Sequence, residues 1–233
     1  MVWTFVAFFS CVRLEAQSNN AEEIMKKAMD KLSLPAHAIY FEGVAEQLKD
    51  PLAIFTLPVY QLHRGGYLFT DNAKFEFSVG TMKGLCNGTV YTIINEMTKQ
   101  LIIDSLQTKD LDGNAFTEEG MMKGLDNIAS IKNLALLGEE KVNKKLCYKI
   151  KATTDKIGMF SLYYVEKTTN KLILFADYEQ ESNFTVYWIK SISDAPKNHD
   201  YSLRLPAKET EKLFGYEAYD MRFTYNKIHQ KIK

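Results

Sequence analysis

The sequence predicts a mainly β protein of the α+β class: about ten or eleven short antiparallel strands in a meander, one N-terminal helix and one inserted helical segment. Three observations carry this. Apolar residues alternate with a period of two over most of the chain. Turn signals recur at close to ten-residue spacing, and a helical period surfaces only near residues 20–32 and 117–134. Connections between strands are a few residues long, so consecutive strands are expected to pair antiparallel. A chain of 233 residues is long enough for one β-rich domain that buries roughly 70% of its unfolded surface. No fixed-period repeat or low-complexity linker divides it.

Taken in order, Val2 to Phe9 (VWTFVAFF) is an unbroken apolar run, and Ala16, Gln17 and Ser18 supply a small-x-small pattern. Together they read as a secretory signal, residues 1–18, leaving a single domain over 19–233. A buried first strand or helix is the alternative. The run is too short to span a bilayer, which needs about 20 apolar residues. Cys11 follows Phe8, Phe9 and Ser10 and lacks the small-residue setting of an acylated cysteine.

Asn20 to Leu32 sets Ile24, Met25, Ala28, Met29 and Leu32 on one stripe behind an Asn cap and two acids, which predicts a helix of about three turns. Pro35 stops it, and Ala38 to Leu48 alternates as a strand. Leu52 to His63, broken by Pro58 after Pro51, reads as an edge strand or bulged pair. Strands follow at Tyr67–Thr70, Lys74–Val79, around Leu85, Val90–Ile94 and Leu101–Ile103, with Asn87-Gly88 the strongest hairpin signal. TEEGMMKGLDNIASIKNLALL, from Thr117, places Met121, Met122, Leu125, Ile128, Ile131 and Leu134 at helical spacing, weakened by two glycines. Strands resume at Lys145–Ala152, Met159–Glu166, Lys171–Glu179, Phe184–Ser193 and Tyr201–Leu205, and the basic tail from Tyr225 frays.

Several strands are apolar on both faces. In Phe160 to Val165, Phe160, Leu162 and Tyr164 lie on one side while Tyr163 and Val165 lie on the other. An antiparallel sheet with one wet face alternates cleanly. Three arrangements answer this: a curved sheet wrapped around a helix, a two-sheet sandwich, or a concave sheet whose inner face holds an apolar ligand. Adjacent methionines suit a lid over varied apolar partners, and they suit ordinary core equally well.

Lys plus Arg and Asp plus Glu are equal at 29 each, so no global field favours nucleic acid or an anionic membrane. The four histidines, His37, His63, His199 and His229, lie far apart and outside any metal-ligand spacing. No G-x-S-x-G, P-loop, H-E-x-x-H or paired-Cys motif occurs. No enzyme, metal or cofactor is therefore expected. Cys86 and Cys147 either form a disulfide or stay as buried free thiols; spacing alone decides neither.

Three stretches resemble the outer-membrane lipoprotein carrier family, the LolA-like periplasmic proteins. LCNGTVYTIINEMTKQLII is similar to the family's apolar-D-G-x-x-L-W-x-Y-(D/N)-P-x-x-x-Q-V stretch. FSLYYVEKTTNKLILFADYEQESNFTVYWIKSI is similar to its late meander. YSLRLP followed by GYEAYDMR is similar to its terminal F-x-F-x-P and G-V-x-V-x-D-x-R. The resemblance implies an incomplete antiparallel β-barrel closed by helices. Its apolar cavity would carry lipoprotein acyl chains from an inner-membrane releasing complex to an outer-membrane acceptor. Thr70, Asp71, Asn72 and Ala73 stand where proteobacterial carriers have the Arg-Pro that helps hold the lid shut. Asn87 replaces an Asp and Asn95-Glu96 an Asn-Pro turn, and the missing Arg leaves the family's gating mechanism open for this chain.

By alternation and helical spacing the cavity candidates are Phe75, Phe77, Tyr91, Ile93, Met121, Met122, Leu125, Phe160, Leu162 and Tyr164. The expected function is a monomeric periplasmic carrier or chaperone with acylated lipoprotein or lipid cargo and no nucleic-acid partner. The alternative is an envelope sensor or interaction module with both sheet faces fully packed.

Overall fold

A computed structural model describes residues 20–105, 133–153, 158–179, 183–202 and 217–220. The predicted N-terminal helix is present as α1 (20–28), and its stripe of Ala21, Ile24, Met25, Ala28 and Met29 is buried. A 3-10 turn over Asp30–Ser33 ends it.

Thirteen strands then build one sheet: β1 Ala36–Leu48, β2 His63–Arg64, β3 Tyr67–Asp71, β4 Lys74–Val79, β5 Met82–Asn87, β6 Val90–Asn95, β7 Gln100–Ser105, β8 Asn133–Val142, β9 Lys145–Thr153, β10 Phe160–Glu166, β11 Leu172–Glu179, β12 Asn183–Asp194 and β13 Glu217–Asp220. Twelve of them run in the order β13-β7-β6-β5-β4-β3-β1-β12-β11-β10-β9-β8, and β2 pairs with β1 off this path. Every pairing is antiparallel except β13 with β7. The ends, β13 and β8, do not meet, so the sheet is open.

The turns are those the residues call for. The Asn87 side chain accepts from the amides of Thr89 and Val90 at 3.0 and 2.9 Å, and Gly88 takes φ +95° to close the β5–β6 hairpin. Asn95 does the same for Met97 and Thr98 before β7.

Residues of eight adjacent strands, from β5 through β1 to β9, join α1 in one hydrophobic core. Laid flat, eight strands would span roughly 34 Å, against a helix about 10 Å across. The sheet therefore curls, with this face concave. Register shifts in β1 at Tyr40/Phe41, Phe41/Gly43 and Ala45/Leu48 supply bulges that bend it.

The opposite, convex face has its own core. Ala45, Cys147, Leu162, Tyr164, Leu174 and Val186 are buried there together with Ile54, and Leu52, Phe55, Leu57 and Leu62 pack against them. This explains the two-sided strands: α1 covers one face of β10–β12 and the 51–62 segment covers the other. That segment is not the predicted edge strand. It forms two 3-10 turns, Pro51–Phe55 and Val59–Gln61, because the prolines bring no amide to a ladder. The Asp50 carboxylate accepts from the Leu52 amide at 3.0 Å and caps the first. Gly43 lets it sit close, since a Cβ there would lie 2.8 Å from Leu62 Cδ1.

Other corrections concern element type. Leu134 is not helical but opens β8, whose Leu134 and Leu136 pack against the concave core. β13 was not foreseen, and Tyr201 and Ser202 are not in a strand. Most of the predicted 117–134 helix lies outside the described residues.

Candidate functional site: the concave apolar face

Sheet register lays the concave face out as rows. Its centre is an aromatic ladder with one ring per strand on β1, β12, β11 and β10. Phe41 lies 5.9 Å from Tyr187, Tyr187 5.4 Å from Phe175, and Phe175 5.1 Å from Tyr163. All four rings are buried in the core shared with α1. On β4, Phe75 and Phe77 stack at 6.1 Å.

Beyond β4, three short strands form a grid. Cys86, Tyr91 and Asp104 make its first row; Gly84, Ile93 and Ile102 its second; Met82, Asn95 and Gln100 its third. Gly84 pairs with Phe77, and the Phe77 ring lies across it: a Cβ at Gly84 would sit 2.2 Å from Phe77 Cε1. Phe77 is buried, whereas Tyr91, Ile93 and Ile102 are half-buried. The concave face thus continues as apolar surface onto β6 and β7.

Polar groups mark its margins. The Ser161 hydroxyl donates to Asp177 Oδ1 at 2.5 Å, and burial, then the Asp177 charge, push the Tyr163 phenol upward. At the other end His37 Nδ1 lies 3.1 Å from the Leu34 carbonyl and 3.0 Å from Thr70 Oγ1; burial lowers its pKa below the ordinary histidine value. On β6 and β7 the Tyr91 hydroxyl lies 3.4 Å from Asp104 Oδ2, and the Ser105 amide donates to Oδ1 at 2.7 Å.

The sequence-predicted candidates divide. Phe75, Phe77, Tyr91 and Ile93 share the concave face. Phe160, Leu162 and Tyr164 belong to the convex core, where Phe160 stacks on Tyr178 at 4.5 Å. Alternation in a strand apolar on both sides cannot say which side faces inward, and a one-residue choice flips the whole set. The residues missed for this reason are Tyr163, Phe175 and Tyr187. Met121, Met122 and Leu125 lie outside the described residues.

Cys86 and Cys147 are buried free thiols, not a disulfide. Each belongs to a different core, so the sheet separates them. Burial pushes both up to about 11. Among the described residues, no three His, Cys, Asp or Glu side chains gather to hold a metal, and no helix is long and apolar enough to cross a membrane.

The class so defined is an open, curled antiparallel sheet holding a helix against an apolar concave face. No family model matches the chain, and no curated protein matches it. Among solved structures it is similar to the lipoprotein LppX of Mycobacterium tuberculosis, at 9% identity over 79% of this chain and 99% of that one, TM-score 0.42. It is also similar to LprF from Mycobacterium bovis, at 11% identity over 80% and 98%, TM-score 0.41. A LolA superfamily protein from Nitrosomonas europaea matches at 10% identity over 82% and 98%, TM-score 0.35.

Proposed function

We propose that this chain is an envelope carrier or chaperone that takes the acyl chains of lipoproteins or related lipids on its concave face. It would act in the periplasm after removal of residues 1–18 and pass cargo toward the outer membrane. The supporting observation is the apolar surface that runs past the aromatic ladder to half-buried Tyr91, Ile93 and Ile102. Such a site needs no covalent chemistry and no cofactor. Each methylene transferred from water contributes about 0.8 kcal/mol, so a chain of about a dozen offers on the order of 10 kcal/mol before ordering costs. An inner-membrane releasing complex and an outer-membrane acceptor would be its partners.

One observation favours the sensor or interaction-module reading: α1 already fills the ladder, where Phe175 and Tyr163 are 0% and 1% exposed. Native mass spectrometry of protein purified from the periplasm, then denatured, separates the two. Acyl species released on denaturation, and lost in Ile93→Asp with the fold intact, support the carrier. Bare protein that refuses added lipopeptide supports the module.

A further inference from the structure

The β5–β7 grid is chemically asymmetric. Its third row ends in neutral amides, Asn95 and Gln100, while its first ends in the Asp104 carboxylate beside Ile102 and Ile93. Asp104 is half-buried. Several acids on the described surface have cations, as Glu23 with Lys27, Glu96 with Lys83, Glu139 with Lys167 and Asp194 with Lys31, while others such as Glu42 and Glu46 are exposed to water without one. Among the described residues no lysine or arginine pairs with Asp104.

Its orientation is nevertheless built. The Ser105 amide holds one oxygen and the Tyr91 hydroxyl faces the other. A carboxylate offers about four acceptor sites, so two protein donors leave capacity toward the apolar row. An unpaired charge partly withdrawn from water is costly unless something pairs with it.

We propose that Asp104, oriented by Tyr91, receives the head of an amphiphile bearing N–H donors, an ammonium or amide group, while its chain lies over Ile93 and Ile102. This rests on the carrier reading above and adds a headgroup preference to it: cationic or N–H-donating heads are accepted and anionic heads rejected.

The test is isothermal titration of the mature protein with dodecylammonium, dodecanoate and monododecanoylglycerol, each below its micelle concentration. The neutral glyceride reads the apolar site without a charged head. Wild type should favour the ammonium over the carboxylate by about tenfold or more, equivalent to roughly 1.4 kcal/mol. Asp104→Asn should shrink that ratio below about threefold without altering glyceride binding, and Tyr91→Phe should shrink it partly. An unchanged ratio in Asp104→Asn overturns the inference while glyceride binding keeps the carrier reading. Absent glyceride binding overturns both. Should Asp104→Asn fail to fold, an unchanged ratio in Tyr91→Phe is the overturning result.

Discussion

Replacing Gly84 by alanine sets a methyl group against the Phe77 ring. The added Cβ would fall 2.2, 2.6 and 2.9 Å from Phe77 Cε1, Cζ and Cδ1, and the ring is only 7% exposed. The backbone of β4 and β5 is tied by the ladder that pairs these two residues, so the ring is what moves. Expelling it forfeits most of the burial of a Phe side chain, about 1.5–3 kcal/mol. Alanine recovers about 0.5–1 kcal/mol over glycine in a strand. Gly84→Ala should therefore destabilise by about 1–2 kcal/mol. Phe77→Ala alone should cost about 3–5 kcal/mol. In that background the ring is gone, and adding Gly84→Ala should be neutral or stabilising by up to about 1 kcal/mol. Urea unfolding of the four proteins gives the coupling directly. A Gly84→Ala cost that is the same with and without Phe77 would refute the claim that the ring lies on the glycine.

Further outcomes follow from the same geometry. Burial lowers the folded pKa of His37 below its unfolded value, so the folded state binds fewer protons as pH falls beneath about 6.5. Stability is full above that pH and lost below it. Urea midpoints should drop between pH 7 and 5, and a flat profile in wild type would contradict the burial argument. Cys86 and Cys147, both pushed up to about 11 by burial, should resist iodoacetamide at pH 8 in the native protein and react on denaturation; native labelling of either would contradict it. Ile93→Asp should abolish uptake of acylated cargo while leaving circular dichroism unchanged, because the side chain is only half-buried.

Much of the fold was legible because local signals carried it. The Asn87-Gly88 hairpin, the one-sided alternation of Lys74–Val79 and the apolar stripe of α1 are each decided within a few residues. What failed needed information from elsewhere in the chain. Asn-Leu-Ala-Leu-Leu at the start of β8 suits helix or strand alike, and pairing with β9 settles it. The 51–62 segment has strand-like composition, but it became a cover for the convex face. The candidate residues fell on two faces for a comparable reason. Phe75, Phe77 and Ile93 follow from strands with one apolar side or a fixed hairpin partner. Choosing Phe160, Leu162 and Tyr164 over Tyr163 required knowing which side of β10 meets α1.

The central strand also bears on how the molecule assembles in time. β3 to β7 and β8 to β12 are each built by neighbours in sequence, the kind of contact that forms early. Among the described strands β1 alone joins them, and it sets His37 opposite Asp194. Closing a loop of that size costs chain entropy that no local contact repays. The two arms are thus expected to gain structure before the seam between β1 and β12 zips. Until it does, α1 has only half of its concave bed, and the greasy faces of β10 to β12 stand open on both sides. A molecule proposed to shield hydrocarbon would pass through its own moment of needing shelter.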